Sequence, residues 1–267
     1  MTAPMRPILR WHGGKWLLAP WIISHMPAHR VYVEPFGGAA SVLMRKPRAY
    51  AEVYNDLDDE VVNLFRVLRS PEASSLIDQL RLTPFASGEF AAASEPAECA
   101  VERARRTVVR SFMGFSSNGV HRATGFRANS NRSGTTPARD WVNYPDALAA
   151  VVERLRGVVI LNRDAREVMA AHDGPDTLHY VDPPYVFDTR TDSGHDYAHE
   201  MTDADHAALL EFLRGLKGRV ILSGYPCDLY DQALSGWTRI ERTALADGAR
   251  KRVEVLWCNF VKQGVLI

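Results

Sequence analysis

HYVDPPYVF, residues 179–187, decides how this chain is read. The run 178–181 is strand-like, and it ends at an acid. Two prolines follow, and since proline lacks a backbone N–H and fixes φ, a strand must stop at Asp182. A carboxylate, a rigid turn and the ring of Tyr185 therefore stand at the tip of a buried strand. Outward from it, strand and helix alternate. Residues 31–34 are β-like, the glycine turn PFGGAAS follows, and 41–45 begin a helix. Residues 51–54 form a second strand ending at Asn55-Asp56. Over 58–68, Val61, Val62, Leu64, Phe65 and Leu68 recur on one helical face. The alternation resumes with a helix over 148–155, a strand over 158–161 and a helix over 166–171. An amphipathic helix over 203–215 then follows, with Thr202 as its cap. A strand over 220–223, a short helix over 229–234 and a closing pair of strands over 238–244 and 253–260 complete an α/β pattern.

Residues 70–147 read differently. Helical pieces over 73–80 and 96–112 lead into MGFSSNGVHRATGFRANSNRSGTTPARDW, a loop too long for a compact connection unless it has a function or lacks order. Between 101 and 140 there are eight arginines (103, 105, 106, 110, 122, 127, 132 and 139) against two acids, Glu102 and Asp140. The whole chain balances 32 basic against 32 acidic residues, so this local excess is offset elsewhere. It suggests a polyanion-binding surface; the plain alternative is a solvated arginine-rich helix and loop.

At 267 residues, with 46 % hydrophobic and 24 % charged, the composition fits one large globular domain or one carrying an insert. No apolar run approaches the roughly 18 residues of a membrane span. The start, MTAPMRPILRWHGGK, lacks a signal peptide's apolar stretch. Cys99, Cys227 and Cys258 are widely spaced and form neither a disulfide framework nor a zinc pattern, so a reducing cytoplasm is expected. No metal-ligand cluster is visible.

Three further groups surround the 182–185 turn. VEPFGGAAS (33–41) lets a ligand approach the backbone near helix N–H groups, though it is not the dinucleotide G-x-G-x-x-G spacing. Asp56 follows the next strand, where an acid commonly accepts from ribose hydroxyls, or else caps the helix after it; Asp58 is the better-placed cap. WHGGKW (11–16) offers Trp11 to cover an adenine or a cation and Lys15 to pair with a carboxylate; core packing and solvation are the plain readings. Asp164 is a further strand-end acid, suited to an adenine amino group or to a helix cap. The ligand these suggest contains a nucleoside, and adenosylmethionine fits.

At Asp182-Pro183-Pro184-Tyr185 the chemistry is specific. A nucleobase amine is a poor nucleophile because its lone pair is delocalised into the ring. A carboxylate and a proline carbonyl aimed at its two hydrogens would stabilise charge developing on nitrogen, with the tyrosine stacked on the base.

WHGGK, VEPFGGAAS, NDLDDEVVNLF, VDPPY, SGYPCDLYDQAL and RVEVLWCNF, in this order, resemble the Dam-type DNA adenine-N6 methyltransferases. The resemblance implies a Rossmann-like adenosylmethionine-dependent α/β fold with a mainly parallel sheet. Residues 1–69 and 148–267 would form the catalytic domain, and 70–147 an inserted, mostly helical target-recognition domain. It implies methyl transfer from S-adenosylmethionine to N6 of a flipped adenine in double-stranded DNA, with no metal. Asp182, Pro183, Pro184 and Tyr185 would be catalytic, and Trp11, Lys15, Glu34, Phe36, Gly37, Gly38, Asp56, Asp164 and Asp182 would hold the donor. Arg110, Asn118, Arg122, Arg127, Asn131, Arg132 and Arg139 would meet DNA. The insert matches least, and it lacks the N-V-P-x-G-type loop of members that read GATC, so GATC recognition does not carry over. No membrane and no obligatory protein partner are expected, and the setting is the cytoplasm of a prokaryotic or phage-infected cell. The alternatives are the same chemistry on single-stranded DNA or RNA, and a DNA-binding relative without activity.

Overall fold

The computed structural model describes residues 3–115, 117, 119–129, 134–190, 197–245 and 251–261. In chain order the elements are α1 (Ala19–Ser24), β1 (Val31–Glu34), α2 (Ser41–Arg45), β2 (Ala51–Asn55), α3 (Asp59–Leu68), α4 (Ala73–Leu82), α5 (Ser87–Ala92), α6 (Ala100–Met113), α7 (Pro137–Val142), α8 (Tyr144–Arg154), β3 (Val158–Leu161), α9 (Ala165–Ala171), β4 (Thr177–Val181), α10 (Asp203–Arg214), β5 (Arg219–Gly224), α11 (Asp228–Ala233), β6 (Thr238–Leu245) and β7 (Lys251–Cys258). The strands and long helices expected from periodicity are present. Three helices of six residues, α1, α5 and α7, had no periodic signal. They are too short to repeat an apolar face, and α5 buries no residue at all.

Among the described residues the strands form one seven-stranded sheet in the order β3-β2-β1-β4-β5-β7-β6. β1 pairs in parallel with β2 and β4, and β4 in parallel with β5, while β7 runs antiparallel to both β5 and β6. The expected mainly parallel α/β sheet is what forms. Chain order reverses around β1, which has β2 on one side and β4 on the other, and ligands of open α/β sheets bind beyond the strand ends at such a point.

The chain divides into two compact units. One comprises Met1–Trp16, Gly38–Arg45 and Asp58–Ile160; the other comprises Leu17–Gly37, Lys46–Leu57 and Leu161–Ile267. In the second, sheet-bearing unit, Val33, Val53, Val181, Val220, Leu222 and Val255 are buried together with Val168 and Met169 of α9 and Leu209 and Leu213 of α10. These strands alternate little because their residues are covered on both faces, as in parallel sheets generally: all five residues of β4 are buried. α10 begins with a capping box in which the Thr202 side chain and the Asp205 side chain each satisfy the other's backbone N–H.

In the helical unit, α6 packs on α3, α4, α5 and α7. Asp58 caps α3, its Oδ1 accepting from the N–H groups of Glu60 (2.8 Å) and Val61 (3.3 Å), as expected for it rather than for Asp56. Phe112 and Tyr144 lie 4.3 Å apart between ring centroids, and the Arg6 guanidinium stands 5.2 Å from each ring. The N-terminal segment is bonded into this unit. Tyr144 donates to the Ile8 carbonyl (2.7 Å), and the Arg10 backbone exchanges hydrogen bonds with the Ser111 hydroxyl (2.7 and 3.0 Å). After α6 the chain turns back on itself: Phe115 N donates to Gly125 O and Arg127 N to Met113 O, so this part of the long glycine-rich stretch is pinned at its base.

Candidate active site

In the sheet unit, four acids stand at or just beyond consecutive strand ends. Glu34 ends β1, Asp56 follows β2, Asp164 follows β3 and Asp182 follows β4. β1 pairs in parallel with β2 and with β4, so the carboxyl ends of these three strands share one edge, and hydrogen bonds from Asn55 to Arg163 bring the loop that carries Asp164 to it.

Asn55, the last residue of β2, holds that edge together. It is fully buried. Its Nδ2 donates to the carbonyls of Pro35 and Arg163, both at 2.9 Å, and its Oδ1 accepts from Arg163 N at 2.9 Å. The Asn55 carbonyl also accepts from Gly37 N at 2.8 Å. One amide thus ties the loops after β1, β2 and β3. Gly37 is required here because an added Cβ would lie 2.1 Å from the Tyr54 ring. Gly38 has φ +45°, and within the helical unit a Cβ on it would lie 2.6 Å from the Trp11 indole nitrogen. Ala40 also adopts a positive φ of 53°, uncommon for a residue with a side chain.

Asp182 is half-buried, and its Oδ1 accepts from the Ser223 hydroxyl at 2.7 Å. Register accounts for this: Val181 lies opposite Leu222, so the next residue of each strand meets across the pair. Tyr185 is 6 % exposed, its hydroxyl donates to Glu254 at 2.9 Å, and its ring meets Tyr225 edge-on at 4.6 Å. Burial, with Asp182 and Glu254 nearby, raises the Tyr185 pKa well above the usual tyrosine value, so it stays a donor. Pro183 is buried and Pro184 half-buried.

The other expected donor contacts take these positions. Glu34 is buried and accepts from the Tyr32 hydroxyl at 2.6 Å. Phe36 is half-buried against the sheet core. Asp56 is half-buried, with its backbone bonded to Leu161 and Asn162. Asp164 caps α9 through Oδ1, accepting from Arg166 N (2.9 Å) and Glu167 N (3.3 Å). Partial burial works against its charge, but the Arg166 side chain and those N–H groups hold its carboxyl below the usual range. In the helical unit, Lys15 is buried with its ammonium donating to Gly13 O at 2.6 Å, and Trp11 meets the His121 ring edge-on at 5.0 Å. His121 Nε2 in turn lies 3.1 Å from Asp58 Oδ2.

The arginines of the basic stretch divide into two sets. Those of α6 are paired: Arg103 with Glu60 (2.6 Å), Arg105 with Glu89 (2.9 Å) and Glu102 (2.7 Å), and Arg106 with Glu102 (2.6 Å). Arg110 is half-buried, donates to Ala93 O at 2.8 Å and stands 3.7 Å from Glu60. Burial pushes its pKa down. Beyond α6, Arg127 donates to the Phe112 carbonyl at 3.1 Å, Arg122 is half-buried, and Arg139 is exposed on α7. Asn118, Asn131 and Arg132 lie outside the described residues.

Sequence reading had no role for Asn55, Ser223, Tyr225, His121 or Glu254. Only Glu254 left a signal, an acid within the apolar strand RVEVLWC, where burial demands a donor.

A sheet whose order reverses at β1, with an acid-Pro-Pro-Tyr turn at the neighbouring strand tip, is the architecture of Rossmann-like methyltransferases. Within that class the chain belongs to the D12 class N6 adenine-specific DNA methyltransferases, whose family description matches residues 11–247. It is 23 % identical over 251 residues to the type II methyltransferase M.CviBI of Paramecium bursaria Chlorella virus NC1A, covering 89 % of each chain. It is also 34 % identical over 64 residues to a DNA adenine methylase of Serratia marcescens, covering 24 % of this chain and 23 % of that one. The family's donor is S-adenosylmethionine and its substrate is DNA. Among the described residues no helix is long and apolar enough to cross a membrane.

Proposed function

We propose that the chain methylates adenine N6 within a specific site of double-stranded DNA, and that Asp182, Pro183, Pro184 and Tyr185 form the face that receives the base. The observation that carries this is the Asp182 carboxylate, held by the Ser223 hydroxyl at 2.7 Å, with the carbonyl of Pro183, next in the chain, as the second proposed acceptor. Those two acceptors take the two amine hydrogens and stabilise positive charge on nitrogen as the new N–C bond forms. S-adenosylmethionine is the second substrate and supplies an electrophilic methyl group on sulfur. The proton released from nitrogen leaves during or after transfer, without a covalent enzyme intermediate.

The chemistry of the sheet edge suits this donor. Its acids are acceptors for ribose hydroxyls and an amino group, and their charge complements a sulfonium. Asp164 uses Oδ1 for its cap, which leaves Oδ2 to accept from an adenine amine. Trp11, Lys15, Glu34, Phe36, Gly37, Gly38 and Asp56 complete the proposed donor contacts. Flipping a base costs a few kcal/mol, and stacking on an aromatic ring returns about 1–3 kcal/mol. Tyr185 is 6 % exposed, so a base stacks on it only once its covered face is uncovered.

Residues 70–147 are the proposed target-recognition part. The paired α6 arginines, Arg110 included, are better suited to holding that part together than to gripping phosphates. Arg122 and Arg139, with Asn118, Asn131 and Arg132, are the proposed DNA contacts, and Arg127 positions the turn after α6. The proposed compartment is a cytoplasm, where exposed Cys99 stays a thiol.

The test is incubation of wild-type protein and Asp182→Ala with S-adenosylmethionine and unmethylated genomic DNA, followed by long-read mapping of modified bases. N6-methyladenine in one sequence context, from wild type alone, is the expected result and gives the recognition site. Modification only of single-stranded DNA or RNA in a substrate panel would transfer the same chemistry to that acceptor.

A further inference from the structure

Arg190 follows the catalytic motif by five residues, and no motif accounts for it. The 3₁₀ turn Phe187–Thr189 swings the chain back, so that Arg190 Nε donates to the backbone carbonyl of Tyr185 at 2.6 Å. The same guanidinium forms a two-pronged pair with Glu200, Nη1 to Oε1 at 3.0 Å and Nη2 to Oε2 at 2.8 Å. Both side chains are nearly removed from solvent, at 6 % and 12 % exposed. Glu200 Oε1 also accepts from Tyr197 N at 3.0 Å. The Phe187 and Tyr197 rings lie 4.6 and 5.1 Å from the Arg190 guanidinium carbon.

Taking a charge pair out of water is costly, and an apolar pair of similar size would often serve stability as well. What an apolar pair cannot do is present a third, directed N–H to a carbonyl. A guanidinium carries five donors in a fixed plane, and here that plane is oriented by a carboxylate on one edge and offered to the catalytic motif on another. Tyr185 is thereby held at two places, its hydroxyl by Glu254 and its backbone by Arg190.

We propose that the Arg190–Glu200 pair is a positioning clamp for the acceptor face: it sets the backbone of Tyr185, and through it the angle at which the ring meets the target adenine. This rests on the reading that Tyr185 belongs to that face. Arg190 does not touch the base; it acts through Tyr185. Lysine, with one rotating ammonium, can meet Glu200 or the Tyr185 carbonyl but cannot reproduce the planar three-way contact.

The experiment compares full-length wild type, Arg190→Lys, Glu200→Gln and Tyr185→Ala in single-turnover methylation. Donor and DNA affinities are measured separately, and 2-aminopurine replaces the target adenine found by modification mapping. For Arg190→Lys the expected loss in the chemical rate is between about ten- and a hundredfold, the scale for misplacing a reacting group by about an ångström. Donor and DNA affinities are expected to be unchanged. 2-Aminopurine emission is expected to rise because the flipped base stacks less well. Glu200→Gln is expected to show the same pattern with a smaller loss. Thermal melting shows which variants are folded at the assay temperature; should Arg190→Lys melt below it, Glu200→Gln carries the test. A folded variant with wild-type rate and emission, alongside an inactive Tyr185→Ala, overturns the clamp. A fully active Tyr185→Ala instead overturns the acceptor reading, and the clamp with it.

Discussion

α6 and the sheet edge use their charges in opposite ways. Along α6, Arg103, Arg105 and Arg106 are each met by a carboxylate at 2.6–2.9 Å, so a run of sequence that looks strongly basic presents little of that charge. Glu60 and Glu89 come from outside the basic stretch, which is why counting within it misleads. At the sheet edge neutral donors take a larger share: a serine hydroxyl donates to Asp182, backbone N–H groups together with the Arg166 side chain donate to Asp164, and the amide of Asn55 ties the loops. Neutral donors set a carboxylate's direction without cancelling its charge. The contrast is between arginines paired within the fold along α6 and strand-tip acids whose proposed role is to meet a ligand.

The largest expected effect tests the edge directly. Asp182→Ala should reduce methyl transfer by about a thousandfold or more, the scale for removing a preorganised electrostatic group, while donor binding in calorimetry is weakened but still detectable, because the other proposed donor contacts remain. Near-normal turnover would mean that Asp182 is oriented for structure only. Asn55→Ala should cost about 2–4 kcal/mol in urea unfolding, because it leaves the buried Pro35 carbonyl without its partner and removes two further hydrogen bonds to the Arg163 backbone. Equal stability would show that the loops are held by other means.

Acid should separate the two regions. In the sheet unit, burial lowers His206 to about 4 and also lowers His179, so the folded protein holds both neutral at pH 7 and resists protonating them as pH falls. The unfolded chain takes up these protons first, so stability is full above about pH 6.5 and falls as pH drops toward 4, by on the order of 3 kcal/mol for His206. In the helical unit, Arg105, against the penalty of partial burial, and Arg106 hold Glu102 at about 2. That contribution is present above the ordinary glutamate value and is lost as pH falls from about 4.5 toward 2. Hydrogen exchange between pH 7 and 4 should therefore loosen α10 and β4 before α6, and His206→Gln should flatten the first phase. Simultaneous loosening would remove the distinction.

Smaller effects test the arginines. Arg105→Gln should destabilise by about 1–2 kcal/mol, since its ion pairs are only partly shielded from water, and should leave the salt dependence of DNA binding unchanged. Arg139→Gln should do the reverse, reducing the log–log salt slope by about one with no change in melting. A slope change from Arg105→Gln would return α6 to the DNA surface.

Much of this was legible before any coordinates. The D-P-P-Y turn, the glycine turn and the acids after successive strands stand out because parallel strands place their ends on one edge. Periods of two and 3.6 residues likewise mark strands and long helices at short range. The helical unit was harder. The insert was expected over 70–147, whereas the compact helical unit also takes in 1–16, 38–45, 58–69 and 148–160, stitched by contacts such as Tyr144 to Ile8 that lie 136 residues apart.

What the sequence alone determined is the order of elements and the chemistry at the strand tips, because both follow from local pattern and chain direction. Tertiary structure decided which charges the fold pairs internally. Asn55, Ser223, Glu254 and Arg190 act through partners in other elements, and whether an arginine grips DNA or a glutamate depends on what folding brings beside it.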